Sequence, residues 1–415
     1  MNIIIVGGGP AGMMAAIAAK QHAPDIHVTL LEKNEKLGKK LYITGKGRCN
    51  LTNNTDIKGL LEHMNTNARF MHSAFYAMDA AQLMDFFETW LVPLKTERGN
   101  RVFPVSEKAS DINKALEACL RTLDVRICLN TEVEHIAHEQ NCFNIKTIHK
   151  MYQADAVVIA TGGLSYAMTG STGDGYAFAK SFGHHIVDTF PSLVSINVKE
   201  KWVSALEGLS LKNIGCKAVL TNGKTIYRDL GEMMFTFTGV TGPLILSASA
   251  FITDKINKTE PSIILSIDMK PGLTKEQLDA RILRDFKTHS NKHFANVLEL
   301  LLPKRMVDVL VSLTGIAADK KIHDITKAER LLLVDTLKNI KLTPISTGGY
   351  HEAVITKGGV NVKEINASTM MSRLVPGMFF AGEVIDVDAM TGGYNLQIAF
   401  STGYLAGLSA ADILA

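Results

Sequence analysis

Three glycines near the N-terminus have the spacing of a dinucleotide-binding turn. They belong to Gly7-Gly8-Gly9-Pro10-Ala11-Gly12, a G-x-G-x-x-G pattern between a predicted strand, 2–6, and a predicted helix, 11–21. Gly7 would permit the tight turn, Gly9 would let a pyrophosphate approach the backbone, and Gly12 would let the helix pack on the strand. The N-terminal end of the helix, at Pro10 and Ala11, would bind the phosphates.

Glu32 provides an acidic group at the distance that such a site requires. It lies twenty residues beyond Gly12, at the end of a predicted strand, 28–31. A carboxylate there accepts hydrogen bonds from both ribose hydroxyls and repels a 2′-phosphate, so FAD or NAD fits this position and NADP does not. The alternative is a glycine-rich turn in an ordinary βαβ unit. The strand, the helix and the acid together favour the dinucleotide site.

A basic loop follows from Lys33 to Asn53, with a G-x-G-R-C-N core at Gly45–Asn50. A solvated surface loop is the alternative, but the glycines favour a segment that wraps a pyrophosphate and brings Arg48 or Asn50 near a redox ring. Cys49 has no second cysteine within sixty residues, so we interpret it as a buried small residue and not as a redox thiol. The predicted cofactor contacts in this loop are Lys33, Lys40, Gly45, Gly47, Arg48, Cys49 and Asn50.

Later segments return to glycine at predicted strand ends, at Ala160-Thr161-Gly162 and at Gly382-Glu383. A helix predicted from Leu396 to the C-terminus would direct its positive end at the N1–C2=O edge of a flavin. We expect Asn395 to cap that helix, Glu383 or Asp388 to bind ribityl hydroxyls, and Val133 to meet an adenine edge. The further predicted cofactor contacts are therefore Val133, Ala160, Thr161, Gly162, Gly382, Glu383, Asp388, Gly393, Asn395 and Leu396.

The segment Thr169–Gly175 resembles a phosphate-binding loop but lacks the lysine of a nucleotide-binding P-loop. We predict a rigid turn in which Asp174 bonds local backbone, with a helix beginning at Tyr176. Convergence of distant glycine-rich segments on one long ligand favours FAD over NAD. No second G-x-G-x-x-G follows a strand, so the sequence predicts no dedicated nicotinamide domain.

The pattern along the chain predicts an α/β fold with a Rossmann-like FAD-binding domain in two parts, 1–189 and 342–415. An inserted domain, 190–341, is predicted to be β-barrel-like over 190–272, from a hairpin about Asn222-Gly223, and helical over 273–341. Capping boxes begin two of its helices, at Thr274/Gln277 and Thr326/Glu329. Other predicted elements are helices over 73–91 and 109–123 and a strand over 344–355.

Composition excludes several classes of protein. The 415 residues carry a net charge of only +3, which argues against nucleic acid and anionic membrane as partners. Five cysteines form no C-x-x-C pair, which is typical of cytoplasmic proteins with reduced thiols and no metal site. A strand beginning at residue 2 leaves no room for a signal peptide, and the apolar stretch 244–252 is too short to span a bilayer. The expected partner is a small-molecule substrate, and the oligomeric state is not predicted.

The sequence resembles the BaiN/YhiN-type flavoproteins, which are NAD(P)/FAD-dependent or aminoacetone-oxidase-like oxidoreductases of the glutathione reductase superfamily. The resemblance covers nearly the whole chain and is most specific at Gly45–Asn50 and Thr391–Gln397. It implies a bound FAD, with the inserted domain covering the flavin. Family members usually carry a histidine within the segment Phe235–Gly239, where this chain has Phe237.

The predicted activity is hydride transfer through flavin N5. The leading version is reduction of an enone or similar small molecule, with NADH or NADPH as the transient electron donor. A flavin oxidase that passes electrons from an amine to dioxygen is one alternative, and an FAD-containing RNA-binding or RNA-modifying protein is another. The hypothesised proton-transfer residues are Tyr350, His351 and Tyr166, because they lie beside glycine-rich segments of the cofactor domain.

Overall fold

A computed structural model describes residues 1–256 and 263–414 of the chain. They form two compact units, one comprising Met1–Ser192 with Gly349–Ala415 and the other comprising Leu193–Gly348. The sequence patterns put the corresponding boundaries after residues 189 and 341. No described helix is both long enough and apolar enough to cross a membrane.

The elements are numbered in chain order within the described residues. The strands are β1 (Asn2–Val6), β2 (His27–Leu31), β3 (Thr52–Asn53), β4 (Leu94–Glu97), β5 (Arg101–Pro104), β6 (Arg126–Cys128), β7 (Val133–Glu139), β8 (Cys142–Thr147), β9 (Met151–Ala154), β10 (Ala156–Ile159), β11 (Ile186–Ser192), β12 (Ile196–Val198), β13 (Ser210–Leu220), β14 (Thr225–Phe235), β15 (Gly239–Thr241), β16 (Ile263–Asp268), β17 (Ile340–Leu342), β18 (Pro344–Thr347), β19 (Ile355–Val360) and β20 (Met378–Phe380). The helices are α1 (Pro10–His22), α2 (Ile57–Glu62), α3 (His72–Ala77), α4 (Ala80–Thr89), α5 (Ala109–Thr122), α6 (Asp174–Ser181), α7 (Pro243–Ile256), α8 (Lys275–Thr288), α9 (Phe294–Leu298), α10 (Lys304–Thr314), α11 (Lys327–Lys338) and α12 (Tyr394–Asp412).

The first unit is built on a parallel five-stranded sheet of order β20-β10-β1-β2-β6. The residues of β10 and β20 are all buried, as in a parallel sheet covered on both faces. Because the strands are parallel, β1, β10 and β20 end at the same edge of the sheet, where Ala160 bonds Val6 and Ala381 bonds Ile159. This confirms the Rossmann-type α/β prediction, in which ligands bind beyond the carboxyl ends of the strands.

Helices α1 and α12 pack in parallel, backbone against backbone. A methyl group on Gly403 would lie 2.9 Å from the carbonyl carbon of Ala11, and one on Gly407 would lie 2.7 Å from that of Ala15. Both positions advance by four residues together, so the two helices run in the same direction. Only glycine allows this approach, because ordinary Cβ contacts begin at 3.4 Å.

The second unit contains a seven-stranded sheet of order β17-β16-β13-β14-β15-β12-β18. Its edge strands, β17 and β18, are separated in the chain only by Thr343, so the sheet must curl until its two edges approach each other. Helices α8 to α11 lie between β16 and β17 in the chain. Both predicted capping boxes, at Thr274 and Thr326, are present.

Two predicted elements are wrong in part. The helix predicted over 73–91 is two helices, because Asp79 caps α4 through a capping box with Gln82 and so ends the first helix. The strand predicted over 344–355 is interrupted: β18 ends at Thr347, two glycines follow, and β19 begins at Ile355.

Candidate cofactor-binding site

The glycine-rich turn joins β1 to α1 at the carboxyl edge of the parallel sheet. Gly7 has φ +109°, and a methyl group on it would lie 2.8 Å from the carbonyl carbon of Ala160. A methyl group on Gly12 would crowd the Gly7 carbonyl, whereas nothing lies within 4 Å of the corresponding position on Gly9. No side chain caps α1 at Gly9, so the N–H groups of its first turn, including that of Ala11 but not Pro10, are left for a ligand. An anionic group fits here.

Glu32 lies beside this turn and is buried. One of its carboxylate oxygens accepts the N–H of Gly8 at 2.7 Å, and the other accepts the N–H and the amide of Asn34 at 2.8 and 2.6 Å. The Thr131 N–H donates to the Glu32 carbonyl, which brings the start of β7, at Val133, close to the same place. A carboxylate has about four acceptor positions and three are used here, so Glu32 can still accept one ribose hydroxyl.

Helices α1 and α12 both have N-termini that no side chain caps, and the two N-termini are staggered along the parallel helix axes. Because Gly403 is level with Ala11, α12 begins nine residues before that level and α1 begins one residue before it. The difference of eight residues, at the helical rise per residue, separates the two N-termini by about 12 Å along the helix axes. A dinucleotide with its pyrophosphate at α1 would extend its flavin end towards α12 through the ribityl chain. The residues present therefore fit FAD.

The N-terminus of α12 is held by the loop that contains the G-x-G-R-C-N core. The Asn53 amide donates to the Gly392 carbonyl at 3.1 Å, and the Asn50 amide oxygen, in the orientation that satisfies its neighbours, accepts the Gly393 N–H at 3.1 Å. A methyl group on Gly393 would overlap the Thr52 backbone. The two segments most specific to the family resemblance, over 300 residues apart in sequence, thus meet at one helix end.

Asn395 does not cap α12, contrary to the prediction. Gly393 is the N-cap residue, and Asn395 lies in the first turn beside Leu396. The Asn395 amide instead bonds both the N–H and the carbonyl of Ala389. The reason is geometric: a cap must precede the helix, and the glycine conformation ends the preceding loop one residue before Tyr394.

The side chains of the basic loop have several different partners. The guanidinium of Arg48 pairs with Glu97 and Glu107 and lies over the Phe103 ring at 4.1 Å, so these groups hold it, and not a redox ring. Gly45 and Gly47, just before Arg48, both have left-handed backbone. Cys49 is fully buried, and burial raises the pKa of its thiol to about 12. The thiol is therefore protonated at neutral pH.

Lys33 pairs with Asp174 at 2.6 Å and donates to Thr172 at 2.5 Å. The prediction that Asp174 bonds local backbone is therefore wrong. Asp174 is the first residue of α6, and its side chain accepts hydrogen bonds from Lys33 and, at 2.8 Å, from the Thr172 hydroxyl. An uncompensated lysine 141 residues away in sequence gives the carboxylate a stronger partner than a neutral N–H.

Glu383 is the centre of a network at the carboxyl edge of the sheet. Its carboxylate accepts from Lys40 and from the Ser165 hydroxyl, both at 2.6 Å, and from the Thr356 N–H at 2.9 Å. Lys40 also donates to Ser165 at 2.6 Å. About a fifth of each charged side chain is exposed, so Glu383, which follows Gly382, remains accessible to a ligand.

Asp388, the alternative to Glu383, is fully buried. It accepts hydrogen bonds from the Asn65 amide at 2.9 Å and the Thr66 hydroxyl at 2.5 Å. Its oxygens therefore fix the loop that precedes α12. Sequence reasoning missed this pair, as it missed His63, whose ring stacks on Tyr394 at 4.4 Å. No motif or spacing marks these residues.

Ala160, Thr161 and Gly162 extend from β10 beside the glycine-rich turn. The Thr161 hydroxyl oxygen is buried and has no hydrogen-bond partner among the described residues. A buried polar atom normally has a partner, so this hydroxyl is suited to a ligand or water oxygen. The position is next to Gly7, whose missing Cβ would lie 3.1 Å from the Thr161 Cα.

The three residues proposed for proton transfer, Tyr166, Tyr350 and His351, have neighbouring backbones in the first unit. The Tyr166 N–H donates to the Tyr350 carbonyl at 3.2 Å, and Tyr166 has left-handed backbone with φ +53°. Burial raises the pKa of the Tyr350 hydroxyl. His351 is exposed next to Tyr350. Phe237, at the family's usual histidine position, is 66% exposed in the second unit.

Comparison with known proteins identifies the family. A profile described as HI0933-like protein Rossmann domain matches residues 1–409. The chain is 32% identical to a 3-dehydro-bile acid delta(4,6)-reductase of Clostridium scindens, over 99% of this chain and 100% of the relative. It is 31% identical to a ribosomal RNA dihydrouridine synthase of Haemophilus influenzae, over 98% and 97% of the two chains.

Among solved structures, a 3-ketosteroid delta1-dehydrogenase from Sterolibacterium denitrificans is similar with a TM-score of 0.54 and 14% identity. The similarity covers 99% of both chains. At this identity the likeness concerns the fold, which is shared along the full length.

Proposed function

Since the chain belongs to the HI0933-like family and is an FAD-dependent oxidoreductase, we propose that it reduces a carbon–carbon double bond conjugated to a carbonyl group. One observation carries the proposal. The names of two full-length relatives, a 3-dehydro-bile acid reductase and a dihydrouridine synthase, describe different molecules but the same chemistry, hydrogenation of a double bond activated by a carbonyl.

Bound FAD, once reduced by NADH or NADPH, would supply the hydride, and the residues of this chain would bind and orient the reactants. No side chain caps α12, so the N–H groups and the positive dipole end of its first turn would be free to stabilise negative charge on a bound flavin. Glu32 and the pair of Glu383 and Lys40 would hold the two ribose-derived parts of the cofactor. NADH or NADPH would be the electron donor.

Reduction of such a double bond also needs a proton on the carbon next to the carbonyl. We assign this proton to Tyr350, whose hydroxyl is protonated at neutral pH. Burial raises the pKa of that hydroxyl and so makes it a weaker acid, and a hydrogen bond with the Thr189 side chain opposes this shift. Tyr166 and His351 are the other proposed groups at this place. Each would act on a substrate bound beside the flavin.

The test is anaerobic stopped-flow spectroscopy of the FAD-loaded protein. The flavin would first be reduced with NADH or NADPH and then mixed with a 3-oxo-Δ4 steroid, and reoxidation would be followed by absorbance. We expect reoxidation by the enone, slowed by about 10²-fold or more in Tyr350→Phe and little changed in His351→Gln if Tyr350 is the proton donor. Failure of every conjugated carbonyl compound to reoxidise the flavin, together with rapid reoxidation by dioxygen and reduction by amines, would instead support the oxidase.

A second candidate substrate class is a uracil base within RNA. The observation that favours it is the name of the Haemophilus influenzae relative, which is nearly as similar to this chain as the bile acid reductase. The same stopped-flow experiment, with a uridine-containing RNA in place of the steroid, separates the two classes.

A further inference from the structure

One row of residues on the seven-stranded sheet carries three positive charges. The pairing of β13 puts Lys217 directly opposite Arg228 on β14 and opposite Ser266 on β16. Ser266 in turn lies opposite Lys341 on β17. Residues that are directly opposite one another share a face, so Arg228, Lys217, Ser266 and Lys341 form a single line across four strands, here called the basic row.

The basic row lies on the solvent-exposed face of the sheet. Its neighbours along β13, Cys216 and Ala218, point to the other face and are fully buried in the apolar core of the second unit. Lys217, Arg228 and Lys341 are all exposed. Two apolar side chains on the same face are exposed as well, Leu230 by 64% and Ile264 by 37%.

Within the part of the chain that the structure describes, the three cations of the row form no ion pair. The nearest acid on the same face of β16, Asp268, is paired with Lys338 at 2.6 Å. Like charges directly opposite each other destabilise a sheet, and Lys217 and Arg228 are in that relation. An unpaired row of this kind is a cost to folding that an external anion would relieve.

The spacing of the row suits an extended polyanion better than a single phosphate. Adjacent strands are about 4.8 Å apart, so the row extends over about 14 Å from Arg228 to Lys341. One small anion would meet at most the neighbouring pair, Lys217 and Arg228. A chain of phosphates crossing the strands would meet all three cations.

We propose that the basic row binds the sugar–phosphate backbone of RNA and so makes RNA the substrate carrier for this enzyme. The proposal rests on the reduction proposed above and decides between its two substrate classes. A net charge of only +3 argues against nucleic acid as a partner of the whole chain, but it does not prevent three unpaired cations from lying together on one face of a sheet.

The test compares Lys217→Thr/Arg228→Thr with a control that removes the same charge elsewhere in the unit, Arg284→Ala/Lys287→Ala on the exposed side of α8. The probe is a fluorescently labelled, uridine-containing single-stranded RNA, and its binding to the FAD-loaded protein is measured by anisotropy across roughly 50–200 mM salt. For two lost phosphate contacts, we expect the slope of log affinity against log salt to become shallower by about 1.4. The control should keep the original slope.

Denaturant unfolding of the same variants separates lost binding from lost folding. Removing the opposed charges should leave the threonine variant at least as stable as the parent protein, since threonine favours strands. If it unfolds more easily, Lys341→Thr alone provides the binding test, with an expected slope change of about 0.7. An unchanged slope, an equal loss in the control, or binding to anionic lipid vesicles but not to RNA would overturn the proposal.

Failure of this proposal can be distinguished from failure of the proposed reaction. Flavin reoxidation by a 3-oxo-Δ4 steroid does not involve the basic row, so it should be equal in the parent protein and in both double variants. Enone reduction without salt-dependent RNA binding would refute the RNA surface and leave the reductase assignment in place.

Discussion

The close packing of α1 and α12 is tested most directly by Gly407→Ala. A methyl group at this position would overlap the Ala15 carbonyl oxygen and would lie 2.7 Å from the carbonyl carbon, whereas ordinary contacts begin at 3.4 Å, so the helices must separate by more than about 0.7 Å or distort. Overpacking of this kind costs about 1–3 kcal/mol, and backbone, unlike a flexible side chain, yields little. Alanine in place of glycine returns about 1 kcal/mol of helix propensity. Because the clash is with backbone, the overpacking cost should lie in the upper part of its range, about 2–3 kcal/mol, so we expect a net loss of about 1–2 kcal/mol in the free energy of unfolding.

Gly59→Ala in α2 is the matched control. Its methyl group would meet the Thr55 side chain and no backbone atom. The Thr55 hydroxyl can rotate away and the Thr55 Cβ, at 3.1 Å, needs to shift only by a few tenths of an ångström, so stability should stay within about 1 kcal/mol of the parent protein. Urea unfolding of both apoproteins gives the stabilities, and fluorescence titration with FAD gives the affinities. Because α12 and α1 each present a helix N-terminus, their separation in Gly407→Ala should also weaken FAD binding. If Gly407→Ala were as stable as the parent protein and bound FAD equally well, the helices would not be in backbone contact.

Three further predictions concern buried and paired groups. Burial holds the pKa of His184 below its usual value, so below about pH 6.5 the unfolded chain binds a proton that the folded chain does not. The free energy of unfolding should therefore decrease as the pH is lowered from 7.5 to 5, and it should decrease less steeply in His184→Gln, as urea unfolding would measure. Iodoacetamide at pH 8 should label Cys128 and Cys142 before Cys49, whose buried thiol has its pKa raised to about 12, as peptide mass spectrometry would show. Lys40→Met should weaken FAD binding more than Lys39→Met, because Lys40 pairs with the mostly buried Glu383 of the candidate site and Lys39 pairs with the exposed Glu35. Equal FAD affinities of the two variants would show that the Glu383 network does not contact the cofactor.

Local patterns were sufficient to predict the first βαβ unit, the hairpin about Asn222-Gly223 and both capping boxes. In each case the residues that decide the structure are within about twenty positions of one another, so sequence spacing carries the geometry. The break at Asp79 is also local, and its capping box with Gln82 is written in the sequence. The helical periodicity on both sides concealed it.

The partners of the site side chains are not local, and the sequence could not supply them. Lys40 and Glu383 are 343 residues apart, and Asn65 and Asp388 are 323 apart. Residue type predicted that charged and polar groups gather at this edge of the sheet, but not which would bond each other and which would remain available. The basic row could not be predicted from the sequence for the same reason, because β13, β14, β16 and β17 contribute one residue each and only the strand register aligns them.

The stagger of the two helices would let both ends of the chain contribute to one cofactor site. A single helix N-terminus can favour one anionic group, and its effect fades within a turn. Two parallel N-termini about 12 Å apart can favour a pyrophosphate and a developing charge on a flavin at the same time, provided that their separation is fixed. Gly403 and Gly407 fix it, because only at those levels can the two backbones touch. The glycines of α12 therefore set the distance between the N-terminus of α12 and the glycine-rich turn that begins α1.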